Sequence, residues 1–346
     1  MHQLYQNTNK DAVTSMTYNL RIQEANDTGA QSWQARESAI LDMISGKVSN
    51  EGKNFDFAAL QECGTHNGTH TWAESIYDAM TNKSHPHYAD FEKLGMLPAP
   101  SQGVPNSDNL IIYDKTKWTV EKTESFGLNS HNGTWYPNTV LGADFIQSES
   151  DPYVQSNHVY VFAGHLPTQS GLEKYDGIMS LQQLMNDVSY FVGADGSQNW
   201  AATRQIFILL DSNCKGKLND GTNNPLFDQD PAAMWAGFHD IYYENVLHKA
   251  STPQADLTDH AWPIEKGVPK TPLDREDLQF VSGFDPSESN TSAVIHYKYT
   301  YTDPNTGQTT TLHPSDHLAV VNKTYFKGLV HPTLPKNELA TSSQTP

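Results

Sequence analysis

The chain has 346 residues, which is longer than an average domain but within the size of a single α/β sandwich. Asp and Glu outnumber Lys and Arg by 40 to 22, and the formal net charge of −18 argues against non-specific binding of nucleic acid through a basic surface. No stretch approaches the roughly 20 apolar residues that a membrane-spanning helix requires, so we expect no transmembrane segment.

Short apolar runs and segments of helical periodicity follow one another along the first two thirds of the chain. Trp33, Ile40 and Ile44 recur at helical spacing, and Ser32 can cap the N-terminus of that helix. The run 55–61 is almost continuously apolar, as is typical of a strand that is covered on both faces. Strands are predicted at 13–20, 55–61, 109–114, 139–147, 158–163 and 205–210. Helices are predicted at 32–48, 71–81, 171–192 and 228–239.

The last third of the chain is less regular. Residues 214–273 are rich in Asn, Pro, Gly and Asp, and most of them are predicted to form surface loops. Residues 293–302 alternate strictly and place three tyrosines on one side, and the turn at 303–307 leads into 308–312, which predicts a hairpin. Its tyrosines fit packing within the hairpin better than a platform for substrate. We expect one domain over 1–330 and a disordered tail at 331–346.

The order of these elements favours one architecture. Strands and helices do not alternate one to one, as they would in a parallel barrel, which favours stacked mixed β-sheets flanked by helices. The abundance of Asn, Thr, Ser and Gln favours an extracellular protein, although the N-terminus lacks the charged and apolar regions of a signal peptide.

Polar side chains stand at the ends of several apolar runs. Asp316 and His317 lead directly into the apolar residues 318–321, which places a carboxylate and an imidazole side by side at the mouth of a sheet. A strand end holds such groups rigidly and leaves their tips in solvent, as a metal- or phosphate-handling site requires. Three further clusters follow apolar runs, at 18–21 (Tyr-Asn-Leu-Arg), 60–62 (Leu-Gln-Glu) and 209–213 (Leu-Leu-Asp-Ser-Asn).

Together with two more motifs, these clusters resemble the endonuclease/exonuclease/phosphatase superfamily, which includes deoxyribonuclease I. The motifs occur in the family's order over residues 19–321: 18–21, 60–62, Ala-Gly-His-Leu at 163–166, Asp-Ser-Asn at 211–213, Arg-Glu-Asp at 275–277 and Ser-Asp-His at 315–317. The resemblance implies an α+β fold, a four-layer α/β/β/α sandwich of two packed mixed β-sheets flanked by helices. Leu210 replaces the glycine of the family's Gly-Asp-x-Asn signature, so the turn into the site can differ.

The resemblance also assigns roles to residues of this chain. The predicted metal ligands are Glu62, Asn19 and Asp316; the predicted catalytic residues are His165, Asp211, Asn213, Asp277 and His317; the predicted substrate-binding residues are Arg21 and Lys215. Magnesium prefers oxygen ligands and keeps several waters, so one or two carboxylates can hold Mg²⁺, with Mn²⁺ as an alternative. Asp274 competes with Asp277, and the sequence does not identify the group that removes a proton from water.

Asp211 and Asn213 are two apart on a predicted strand, so their side chains should point the same way and orient a water for attack. Cys63 and Cys214 each follow a site motif directly. They are either two partly buried thiols or a pair that lies close together.

The expected activity is Mg²⁺-dependent hydrolysis of phosphodiester bonds by a monomeric nuclease, with DNA as the first candidate substrate. A phosphatase or phospholipase-type hydrolase acting on inositol or lipid headgroup phosphates is the alternative, favoured by an acidic chain with only four arginines. A third, remote possibility is an inactive binding protein with the same fold. The intact set of site residues argues against it.

Overall fold

The computed structural model describes residues 12–23, 27–64, 71–99, 107–129, 135–148, 157–166, 173–193, 200–213, 237–242, 244 and 276–326. The helices in these ranges are α1 (Trp33–Ile44), α2 (Trp72–Thr81), α3 (Tyr88–Phe91) and α4 (Glu173–Phe191). No helix in the described ranges is long and apolar enough to cross a membrane. Lys215, Cys214 and the predicted tail at 331–346 lie outside these ranges.

Fourteen strands are described. They are β1 (Val13–Asn19), β2 (Phe57–Gln61), β3 (Leu94–Leu97), β4 (Leu110–Asp114), β5 (Trp118–Asn129), β6 (Trp135–Gln147), β7 (His158–His165), β8 (Ile206–Asp211), β9 (Phe238–Asp240), β10 (Asp277–Ser282), β11 (Thr291–Val294), β12 (Tyr299–Thr302), β13 (Thr309–Leu312) and β14 (Val320–Thr324).

Two six-stranded sheets and one hairpin contain all of these strands. The first sheet has the order β11-β14-β1-β2-β4-β3, the second has the order β5-β6-β7-β8-β10-β9, and β12 pairs with β13. Only β1–β2 and β7–β8 are parallel among the described pairs, so both large sheets are mixed. This confirms the mixed sheets predicted from the order of elements.

The two sheets pack face to face through aromatic side chains. The ring of Phe57 in the first sheet lies 4.8 Å from that of Phe145 and 6.3 Å from that of Phe207, both in the second sheet. On the outer face of the first sheet, Ile40 of α1 and Ile76 of α2 pack with Met16 and Leu60. On the outer face of the second sheet, Leu184 and Val188 of α4 pack with Phe162 and Ile208. The layers therefore run α/β/β/α, as expected.

Local signals place most of these elements correctly. Ser32 accepts a hydrogen bond from the Ala35 amide and caps α1, and Thr71 and Glu74 form a capping box on α2. α1 ends at Ile44 rather than at 48, because Gly46 adopts a φ of +78° and the chain leaves the helix there.

Two predictions in the last third of the chain are wrong. Residues 238 and 239, the C-terminal end of the predicted helix 228–239, belong instead to the strand Phe238–Asp240, which pairs with β10. Residues 228–236 lie outside the described ranges. The predicted strand 293–302 is two short strands, β11 and β12, that belong to different sheets. Tyr299 instead packs against Ala39 of α1, so the tyrosine side of the hairpin is a packing surface, as expected.

The core between the sheets gives a first testable prediction. Replacing Phe57 with Ala should lower the free energy of unfolding by about 3–5 kcal/mol, because the removed ring leaves a cavity between the sheets. The matched control is Tyr190→Ala, since Tyr190 is 77% exposed on α4 and its loss should change stability by less than about 0.5 kcal/mol. Urea unfolding followed by circular dichroism measures both changes. Equal losses in the two variants would contradict the packing described here.

Candidate active site

Parallel strand pairs deliver the polar clusters to one end of the sandwich. Asn19 pairs with Gln61 at the ends of β1 and β2, and His165 pairs with Asp211 at the ends of β7 and β8. Asp211 also faces Asp277, the first residue of the antiparallel strand β10. The register of the two sheets alone therefore brings together residues that are far apart in sequence.

Asn19 joins the two sheets. Its side-chain nitrogen donates to Glu62 Oε1 at 2.9 Å and to Asp211 Oδ2 at 2.8 Å, and its oxygen accepts from the main-chain N–H of Arg21 at 2.9 Å. The main-chain N–H of Ile22 donates to the other oxygen of Glu62 at 2.6 Å. In this arrangement Asn19 presents its nitrogen, not its oxygen, to the two carboxylates.

Two imidazoles face the same oxygen of the fully buried Asp211. The Nε2 atoms of His165 and His317 lie 3.7 Å and 3.8 Å from Asp211 Oδ2. The Nδ1 atom of His317 is 2.8 Å from Oδ2 of Asp277, another of the predicted catalytic residues. A carboxylate on Nδ1 fixes the orientation of the ring and directs Nε2 towards the site.

His165 has an equivalent partner that the sequence analysis missed. Its Nδ1 atom lies 2.7 Å from Asp108 Oδ2, which comes from the segment just before β4. The main-chain oxygen of Asp108 accepts a hydrogen bond from the N–H of Cys63, which anchors this segment beside Glu62. Asp108 precedes an apolar run in the same way that Asp316 does, and this was the signal that could have identified it.

These charges set the protonation states of the three groups. Burial lowers the pKa of His165, but the hydrogen bond with Asp108 and the charges of Asp211 and Glu62 outweigh it and raise that pKa to about 9. Burial likewise lowers the pKa of His317, but Asp277 and Asp211 raise it well above its ordinary value. Burial raises the pKa of Asp211, but the two imidazoles and the amide of Asn19 hold it below its usual value. The site therefore contains an ionised carboxylate between two positively charged rings.

Arg21 and Asp316 lie against each other. Arg21 Nη1 donates to Asp316 Oδ2 at 2.6 Å, and Nη2 donates to Asp27 Oδ1 at 3.2 Å. The hydroxyl of Ser315 donates to the main-chain oxygen of Asn19 at 2.8 Å, which ties the segment before β14 to the end of β1. The roles predicted for Arg21 in substrate binding and for Asp316 in metal binding stay predictions.

Asn213 lies beyond the end of β8, with a φ of +50°, so the expectation that it shares a strand with Asp211 is wrong. Its main-chain N–H donates to Asp211 Oδ1 at 2.8 Å, and its side chain donates to the main-chain oxygen of Leu166 at 2.7 Å. Asn213 thus holds the Asp211 carboxylate through its backbone and joins the ends of β7 and β8 through its amide.

The oxygen donors suit a hard divalent cation. Glu62 and Asp211 each place an oxygen on the same nitrogen of Asn19, so the two carboxylates stand side by side. Asp211, Asp277 and His317 also have potential ligand atoms within 4.8 Å of one another, but His317 could bind a cation only after losing a proton. Carboxylate oxygens of this kind are the ligands that Mg²⁺ and Mn²⁺ prefer. Cys63, by contrast, is a buried free thiol whose pKa is raised by burial, which does not suit a thiolate ligand.

Comparisons with known proteins identify the fold. No protein-family model and no curated protein matches the chain. An endonuclease/exonuclease/phosphatase family protein from Bacteroides thetaiotaomicron has a TM-score of 0.60 at 14% identity, covering 93% of this chain and 100% of that chain. A mannosyl-6-phosphatase from Bacteroides thetaiotaomicron VPI-5482 has a TM-score of 0.57 at 15% identity, covering 91% and 100%.

The catalytic domain of human Nocturnin, in a structure with a bound sulfate anion, has a TM-score of 0.51 at 13% identity, covering 92% of this chain and 94% of that chain. Likeness over nine tenths of the chain shows that it has the fold of the endonuclease/exonuclease/phosphatase proteins. The resemblance seen in the six sequence motifs is confirmed at the level of the fold.

The His165–Asp108 pair gives a second prediction. Because the pKa of His165 is about 9 in the folded protein and its ordinary value is 6.5, protonated His165 stabilises the fold fully below pH 6.5, and this contribution is lost as the pH rises through 9. Replacing Asp108 with Asn should lower the pKa of His165 and weaken the pH dependence of stability in this window. NMR titration of the imidazole and urea unfolding at several pH values, both without divalent ions, measure these changes.

The control for this experiment is Asp187→Asn, which removes a carboxylate from α4. It should leave the titration of His165 unchanged. A His165 titration in Asp108→Asn that matches wild type would show that Asp108 does not control this imidazole.

Proposed function

We propose that this chain, with the fold of the endonuclease/exonuclease/phosphatase proteins, is a divalent-metal-dependent hydrolase of phosphate esters. One observation carries the proposal. His165 and His317, each tied to a carboxylate through Nδ1, direct their Nε2 atoms towards the ionised Asp211, beside Glu62. Hydrolysis of a phosphate ester is aided by positive groups next to the negatively charged phosphoryl oxygens and by a group that positions water, and this arrangement offers both.

Asp211 and the two histidines have different roles in the proposed reaction. Asp211 orients the attacking water, since its pKa is held low and its two oxygens are fixed by the Asn213 N–H and by Asn19. His165 and His317 carry positive charge at neutral pH and bind the phosphoryl oxygens or donate a proton to the leaving oxygen.

A divalent cation would be held by Glu62, with Asn19 and Asp316 as further candidates, and would add positive charge to the phosphoryl group. Asn19 would serve as a ligand only after its amide turned, because its oxygen faces Arg21 N–H. Asp316 would first have to share its carboxylate with Arg21. Both oxygens of Glu62 also accept hydrogen bonds, but from the neutral groups of Asn19 and Ile22 N–H, so Glu62 is the best-placed candidate among the three.

Two substrate classes follow from this site. Phosphodiesters, with DNA first, are the candidate that the sequence motifs favour. Phosphomonoesters are the second candidate, and two observations favour them. The net charge of −18 opposes long contacts along a polyanion, and a mannosyl-6-phosphatase is among the similar structures. Monoester hydrolysis requires only a few local positive charges.

A substrate panel tests both the reaction and its specificity. Supercoiled plasmid, RNA, inositol phosphates and sphingomyelin are incubated with the protein in Mg²⁺, in Mn²⁺ and in excess EDTA. We expect hydrolysis that is abolished by EDTA, because the donors of the site suit a hard cation. Plasmid nicking without phosphate release supports the diester candidate, and phosphate release without nicking supports the monoester candidate. Full activity in EDTA contradicts the metal-dependent mechanism, and inactivity on all substrates supports a binding protein.

The histidines give a further prediction. Replacing His317 with Ala should lower kcat by about 10²–10⁴-fold while the protein stays folded, because the site loses a charged group that acts on the phosphoryl oxygens. The matched control is His158→Ala, since His158 lies at the opposite end of β7 from His165 and pairs with Asp144. Initial rates on the best substrate of the panel measure the change. Near-native turnover of the His317 variant would remove this residue from the mechanism.

A further inference from the structure

Arg36 is a charged residue with no solvent exposure, and it lies directly behind the site. It belongs to α1, and its side chain is 0% exposed. Its guanidinium donates to three main-chain oxygens: Nη1 to Leu20 at 3.2 Å and to Pro314 at 3.0 Å, and Nη2 to Arg21 at 3.2 Å. A planar guanidinium with several fixed donors can hold separate carbonyl groups at once, which an ammonium group does less well.

The three oxygens belong to the two segments that carry site residues. Leu20 and Arg21 directly follow Asn19 at the end of β1, and Pro314 lies just before Asp316 and His317. The register between β1 and β14 ends at the pair Thr17–Val320, so sheet hydrogen bonds no longer hold these segments together. Arg36 bridges them at the point where the sheet stops.

An aromatic side chain, that of Trp72, packs against the guanidinium of Arg36. The guanidinium of Arg36 lies 5.0 Å from the centre of the Trp72 ring, and the Trp72 indole N–H donates to the main-chain oxygen of Arg21 at 2.8 Å. Trp72 is the first residue of α2, so both outer helices next to the first sheet support this corner of the site. Stacking on an aromatic face is favourable for a guanidinium and restricts its orientation.

We propose that Arg36 is a positioning residue of the phosphate-ester site. Arg36 holds residues 19–21 and residues 314–317 at a fixed distance from each other. The inference rests on the function proposed above. Arg36 does not touch the reacting groups. It acts by fixing the position of His317 and Asp316 relative to Asn19 and Glu62, and a displacement of about 1 Å in such a site can lower turnover about 100-fold.

Two substitutions separate positioning from general stability. Arg36→Met keeps an unbranched apolar side chain, although a shorter one, and removes all donors. We expect kcat to fall about 100-fold with KM changed less than about threefold. Arg36→Lys restores some of the donors and should recover part of kcat. The matched control is Arg204→Met, because Arg204 lies just before β8, at the end opposite Asp211, and its loss should leave kcat unchanged.

A readout independent of activity distinguishes this proposal from the proposed function. In two-dimensional spectra of the imidazole nitrogens, assigned with the His165→Ala and His317→Ala variants, Arg36→Met should shift the His317 signals and leave those of His165 in place. This holds even if wild type hydrolyses no ester of the panel, which would refute the proposed function alone.

Two outcomes would overturn the positioning role: a folded Arg36→Met variant with wild-type kcat, or equal shifts of both imidazoles. If Arg36→Met does not fold, Arg36→Lys takes its place. A folded lysine variant with unchanged kcat and unchanged His317 signals would also overturn the role.

Discussion

The side chain of Asn19 is the junction on which the site depends. One amide nitrogen donates to Glu62 of the first sheet and to Asp211 of the second, at 2.9 Å and 2.8 Å. The sheets meet mainly through apolar side chains, which are non-directional in their packing, and through a few polar contacts such as Ser15 Oγ to Gln279 Oε1 at 2.8 Å. The two bonds of Asn19 fix the end of one sheet relative to the other at the site. Because both imidazoles face Asp211, their environment also depends on where Asn19 holds this carboxylate. A change of register in either parallel pair would separate the two carboxylates.

Carboxylates outnumber imidazoles at the site, in a chain that is strongly acidic as a whole. Four carboxylates surround the two imidazoles: Asp211 faces both, Asp108 and Asp277 each bind one, and Glu62 stands beside them. Buried carboxylates stabilise the charged form of histidine, so positive charge is available at neutral pH although the chain has few arginines. An anionic substrate therefore meets two fixed imidazolium groups rather than a basic surface.

Sequence patterns predicted the elements that have strong local signals, and they predicted the strand-end residues through the motifs. The run 206–211 could be recognised because it is buried on both faces, and His317 because it stands at the mouth of a sheet. Asp108 and Arg36 were missed for a physical reason. Asp108 pairs with His165, which lies 57 residues further along the chain. Arg36 donates to main-chain carbonyl groups, which every residue has and which therefore leave no pattern in the sequence. The division of 293–302 into two strands depends on pairing partners that alternation does not reveal.

Backbone strain and carboxylate binding occur at the same places in this site. Arg21, Glu62 and Asn213 have φ values of 58°, 57° and 50°, and each stands one or two residues beyond a strand end. For residues other than glycine this conformation costs about 1–3 kcal/mol. At two of these turns, main-chain N–H groups donate to side chains. After β1, Arg21 donates to the amide oxygen of Asn19 and Ile22 donates to Glu62; after β8, Asn213 donates to Asp211.

Hydrogen bonds to a charged group contribute about 1.5–3 kcal/mol each, which is similar to the cost of the strained conformation. At the turns after β1 and β8 the strain is therefore offset locally, by the contacts that hold Glu62 and Asp211 in place. Burial raises the pKa of Asp211, but the bond from the Asn213 N–H is among the contacts that hold this pKa low, so this turn and the charge of Asp211 stabilise each other.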